Sequence, residues 1–75
     1  MTINERKIDE TVLGLLYLTI HDGDRAWKGF DWGALNRLYE KGFIEDPVNK
    51  NKSVVLTNRG IAESKRLFEL LFVEK

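Results

Sequence analysis

Seventy-five residues make one domain at most, close to the size below which a single apolar core barely offsets the conformational entropy of folding. Twelve basic and 12 acidic side chains cancel to a net charge of zero, which argues against indiscriminate attraction to nucleic acid or anionic lipid. One histidine and no cysteine argue against disulfide staples and a structural zinc site, so no metal or cofactor is expected.

The longest apolar run, Val12 to Ile20, is interrupted by Gly14 and Thr19 and is about half of what a membrane span requires. The charged start, Glu5-Arg6-Lys7, leads to no small-residue cleavage site. A soluble, cytoplasmic protein with no membrane partner is expected, folded as a single domain over residues 1–75. Charge is spread evenly with one exception: Pro47 to Gly60 holds Lys50, Lys52 and Arg59 and no acid.

Asn4 is placed to cap a first helix over about Glu5 to His21, with Ile3 and Ile8 at the spacing of a hydrophobic staple. Its apolar residues go nearly all round the helix, so it must be covered on most sides. Asp22-Gly23 is read as its stop. His21, Asp22 and Asp24 have the residue types of a metal or acid/base site, but too few converging ligands and no orienting partner, so a polar turn after a helix end is expected.

Arg25 to Trp32, RAWKGFDW, interleaves three aromatics with two cations. In a domain this small the largest side chains belong in the core. Exposed, the segment would instead suit a partner surface or stacking on single-stranded bases. One turn of helix around Asp24 to Lys28 is all it can hold.

Asp31 is placed to cap a second helix of about ten residues, with Leu35, Leu38 and Tyr39 facing inward and Gly33, Asn36, Arg37 and Glu40 on the opposite face. Gly42 ends it, and Phe43 is placed to fold back on Leu38. Phe43 to Glu45 and Ser53 to Thr57 flank a Pro/Asn-rich turn and predict an antiparallel hairpin, with Val54 and Leu56 on one face. Thr57 should cap a last helix whose first face holds Ile61, Ser64, Leu67, Phe68, Leu71 and Phe72. Ala62, Arg66, Leu70 and Val73 form a second face, which predicts a homodimer. The expected class is mainly α with a small β-hairpin (α+β): helix, short turn of helix, helix, two-stranded wing, C-terminal helix.

The run LNRLYEKGFIEDPVNKNKSVVLTNRGIAESKRL, Leu35 to Leu67, is similar to the end of the winged-helix domain in small bacterial repressors of the multiple-antibiotic-resistance and phenolic-acid types. The matching residues are Leu38, Lys41, Gly42, Phe43, Ile44, Leu56, Thr57 and Gly60. The longer stretch from Leu15 to Thr57 also resembles a family of short bacterial proteins of uncharacterised function. In one respect the chain departs from the helix-turn-helix pattern: only Asp22 to Phe30 separates the first helix from the next cap, so the supporting helix is truncated.

The winged-helix resemblance implies a DNA-binding, transcriptional-regulator type of protein. On that reading Asn36 and Arg37 face base edges, Lys41 lies beside them, and Lys50, Lys52 and Arg59 meet the phosphates of double-stranded DNA. The rival is a protein-interaction adaptor on the same scaffold, using the second face of the last helix and any exposed ring between Trp27 and Trp32. No paired acid, base or nucleophile points to an enzyme.

Overall fold

The computed structural model describes residues 1–74, in the order α1 (Glu5–Leu18), β1 (Arg25–Trp27), α2 (Trp32–Glu40), β2 (Ser53–Val55) and α3 (Asn58–Phe72). The architecture is mixed and mainly helical: three helices with a two-stranded antiparallel sheet. No helix is long and apolar enough to cross a membrane among the described residues.

All three helix starts are capped by the side chains expected. Asn4 Oδ1 accepts from Lys7 N (3.1 Å), Asp31 Oδ2 from Ala34 N (3.0 Å) and Thr57 Oγ1 from Gly60 N (3.0 Å), each satisfying an amide the helix leaves unpaired. Ile3 and Ile8, the expected staple, stay exposed. At the end of α2, Gly42 takes φ +81° and the Phe43 amide returns to the Leu38 carbonyl at 3.0 Å, the Schellman closure its glycine predicts.

Between α1 and α2 the structure corrects the sequence reading. Helix α1 ends at Leu18, not His21, and the expected turn of helix at Asp24–Lys28 is instead strand β1. Asp22-Gly23 is not the helix stop but the tip of a tight turn, with φ +50° and +85°, across which His21 and Arg25 exchange backbone hydrogen bonds of 2.7 and 3.0 Å. Asp-Gly is the dipeptide that hairpin turns favour, and here it reverses the chain onto the sheet. Strand β1 then pairs with β2 in the register Arg25–Val55, Ala26–Val54 and Trp27–Ser53.

The pairing expected between Phe43–Glu45 and Ser53–Thr57 is present but narrow. A single bridge, Ile44 to Leu56, is flanked by Glu45 N to Val55 O (2.9 Å) and Thr57 N to Phe43 O (3.0 Å). Strand β2 therefore lies between β1 and the 43–45 segment, and its buried Val54, with Leu56 just beyond its end, reaches the core from the middle of the layer.

The core is Val12, Leu13 and Leu16 of α1, Leu35 and Leu38 of α2, Val54 and Leu56 beside Ile44, and Leu67 of α3. Helix α1 packs chiefly on α3, where Tyr17 meets Phe68 with ring centroids 5.4 Å apart. The start of α3 sits so close to residue 43 that a Cβ on Gly60 would run into the Phe43 carbonyl. Three large residues expected inside are outside. Tyr39 is exposed, as are Trp27, which points away from the sheet opposite buried Ala26, and Trp32, which precedes the apolar face that begins at Ala34.

Candidate nucleic-acid interface

Helix α2 was expected to present Asn36 and Arg37 to a ligand, and both side chains are engaged within the protein. Arg37 forks onto Asp9 of α1, with Nε to Oδ2 and Nη2 to Oδ1 both 2.8 Å, and its Nη1 reaches Glu5 Oε2 at 3.1 Å. Asp9 is only 2 % exposed and also faces Lys41 Nζ at 3.5 Å. Hydrogen bonding to Asp9, and then its charge, raise the Arg37 guanidinium above its already high pKa. A planar guanidinium against a buried carboxylate is the geometry of a structural clasp between α1 and α2. Asn36 donates to Glu40 Oε1 at 2.6 Å, one turn on.

Asp9 is the functional partner the sequence reading missed. The signal was available, because Asp9, Val12, Leu13 and Leu16 stand at i, i+3, i+4 and i+7, so the acid shares the buried face of α1 and needs a cation.

Arg59 is a clasp as well. Its guanidinium donates to the Lys41 carbonyl at 2.7 Å and lies 4.5 Å from the Phe43 ring centroid, fastening the start of α3 to the end of α2. Lys28 holds the turn between Glu45 and Ser53, its ammonium donating to Pro47 O (2.8 Å), Asn49 O (3.2 Å) and Asn49 Oδ1 (2.9 Å). Pro47 is buried beneath that turn, and Asp46 Oδ1 accepts from Val48 N at 2.9 Å.

What remains outward is a concave surface beside the turn, where Trp27, Phe30 and Trp32 meet Lys28 and Lys52. Lys50 stands exposed two residues before Lys52, and neither lysine forms an ion pair among the described residues. Six expected contact residues are thus divided: Lys50 and Lys52 are outward and unpaired, while Asn36, Arg37, Lys41 and Arg59 touch other parts of the chain. His21 belongs to the frame of this surface. Its Nδ1 donates to the Thr19 carbonyl at 2.9 Å, and its ring lies 4.3 Å from that of Trp27 at a 30° tilt.

On α3, Ala62 and Leu70 are exposed, Leu70 at 67 %, as is Val73 at its C-cap, and Leu71 and Phe72 beside them are half-exposed. Arg66, expected on the same face, forks onto Glu63 at 2.7 and 2.9 Å. That hydrogen bonding holds the Glu63 carboxyl below its ordinary pKa.

A family model described as Domain of unknown function (DUF6429) matches residues 4–74. The "Uncharacterized protein y4hR" of Sinorhizobium fredii (strain NBRC 101917 / NGR234) is 57 % identical over 72 residues, covering 96 % of this chain and 97 % of that protein. No solved structure matches. The chain belongs to the DUF6429 family, in keeping with the likeness to short bacterial proteins of uncharacterised function.

Proposed function

We propose that this member of the DUF6429 family is a non-catalytic nucleic-acid-binding module of winged-helix-like build, with β2 and the Phe43–Glu45 segment as its wing. The observation that carries the reading is the position of Lys50 and Lys52. They are unpaired cations on a turn that Lys28 fixes, and Lys52 shares a concave surface with Trp32 at the start of α2. Cations so placed meet phosphates. Because Arg37 is clasped to Asp9 and the exposed Asn36 is hydrogen-bonded to Glu40 on its own helix, no free base-reading fork projects from α2, and binding tolerant of sequence follows.

The test is a salt series of fluorescence anisotropy with labelled duplex and single-stranded DNA. Replacing Lys50 and Lys52 with Ala should lower the slope of log affinity against log salt by about two units per protomer on duplex and about 1.4 on a single strand. Absence of binding to both at low salt, or binding indifferent to both lysines, defeats the reading.

A second reading, the protein-interaction adaptor, is favoured by a separate observation: the apolar strip of Leu70, Leu71 and Val73 at the end of α3. A second copy of the chain is the simplest occupant of that strip. A homodimer would also double the lysines offered to one nucleic acid and give a regulator two points of attachment.

A further inference from the structure

Both tryptophans of the chain stand on the surface that carries Lys52, and each is more than half exposed, Trp27 at 52 % and Trp32 at 58 %. A domain this short leaves its two largest side chains out of a core that needs them. Neither is loose. Trp27 is fixed through its backbone by pairing with Ser53, by the bond from its amide to Thr19 Oγ1 (3.2 Å), and by the His21 ring against it. Trp32 opens α2 directly after its cap, and the Lys28 ammonium stands 6.0 Å from its ring centroid while tied to the turn. Rings held this way lose little freedom when a flat ligand lands on them.

We infer that the ligand of this surface is single-stranded nucleic acid, its unpaired bases stacked on Trp27 and Trp32 and its backbone on Lys50 and Lys52. This deepens the nucleic-acid reading above and rests on it. Aromatic platforms interleaved with cations bind unpaired bases because every base has a π-face, whereas a duplex hides those faces in its stack and offers only groove edges. The side chains that would read groove edges from α2 are engaged elsewhere. Charge complementarity favours a phosphate backbone, negatively charged at every residue, over a peptide backbone, which is uncharged. Lys28 and Lys52 border the rings, Lys50 is exposed two residues before Lys52, and the neighbouring acids Asp31 and Asp46 are turned to backbone amides of Ala34 and Val48.

Because both tryptophans lie here, intrinsic fluorescence reads binding directly. The full chain is titrated at low salt with an oligothymidylate of about a dozen nucleotides, with an abasic strand of equal length, and with a mixed-sequence duplex of equal length. The oligothymidylate should quench the emission and bind more tightly than either comparator. Trp27→Ala and Trp32→Ala should each weaken it roughly 5- to 150-fold, while the abasic strand is bound as before. Trp→Phe at each position should restore much of the loss, and unchanged melting curves confirm that the variants fold. Equal affinity for the abasic strand, or a duplex bound at least as tightly and indifferent to both tryptophans, overturns the stacking inference and leaves the broader reading standing. Binding of none of the three overturns both. Quenching by an acidic peptide alone assigns the surface to a protein and overturns both as well.

Discussion

Replacing Asp9 with asparagine tests whether Arg37 is a structural clasp or a reader of bases. The carboxylate is 2 % exposed and receives three bonds from one guanidinium, at 3.1, 2.8 and 2.8 Å, with Lys41 at 3.5 Å. Hydrogen bonds to charged groups contribute about 1.5–3 kcal/mol each against about 0.5–1.5 for neutral ones, and the amide keeps one acceptor while turning a donor towards another donor. Against that loss, the neutral side chain no longer carries the several kcal/mol of desolvation that a buried carboxylate does. The net expected for Asp9→Asn is a destabilisation on the order of 1–3 kcal/mol. In a domain of this size each kcal/mol moves the melting temperature by about 4–8 °C, so thermal denaturation followed by circular dichroism should show a drop of roughly 10 °C. Freed from its partner, Arg37 should gain no preference for a duplex sequence. A melting shift under about 2 °C, or a new base preference in the variant, would refute the assignment of Arg37 as a clasp.

Gly60→Ala places a methyl against the Phe43 carbonyl where α3 begins, and should cost about 1–3 kcal/mol or more in the same melting assay; an unchanged melt would show that this approach is not tight. Leu70→Glu with Val73→Glu should convert a dimer to a monomer in sedimentation, whereas identical monomeric masses for wild type and variant would end the dimer proposal. Arg66 lowers the pKa of Glu63, so that pair's stabilisation is fully present above the ordinary carboxyl pKa and is lost as pH falls through the lowered one. Glu63→Gln should accordingly melt slightly below wild type at neutral pH and match it once the pH has fallen well below the lowered carboxyl pKa, and a gap that persisted in acid would have another origin.

The helices were legible because their signals are local. Asn4, Asp31 and Thr57 each answer to an amide three residues on, and Gly42 closes α2 within its own last turn. Strand β1 was not, because Arg25–Trp27 is three residues long and is defined by Ser53–Val55, nearly thirty residues later. Taken alone, Arg-Ala-Trp carries no alternation long enough to mark a strand, and Asp-Gly before it serves equally as a helix stop or a hairpin tip. The outward Trp27 follows from the same miss: once 25–27 is a strand with Ala26 inward, Trp27 must face away. In the candidate site, Lys50 and Lys52 were found by their freedom from neighbouring acids, a property visible in sequence. The engagement of Arg37 was not visible, since its partner lies 28 residues away on another helix.

A chain with few core residues and no cysteine has fastened itself with cations. Arg37 joins α2 to α1, Arg59 joins α3 to the end of α2, and Lys28 joins the β1 end to the turn before β2. In each case the donor spans 18 to 28 residues of sequence, so the bond ties elements that are distant along the chain. Counting basic residues along the sequence therefore overstates the charge free to meet a phosphate. With Lys50 and Lys52 as the free pair, counterion release alone gives a slope of only about −1.4 per protomer on a single strand. Electrostatics that thin leaves most of the affinity to contacts that salt does not screen, and the two half-exposed tryptophans are the side chains on that surface able to supply them. Because both keep the same two lysines, raising salt should weaken the wild type and a Trp27→Ala, Trp32→Ala double variant by the same factor, with the double variant the weaker binder at every salt concentration; a clear difference in slope would refute this division between stacking and charge.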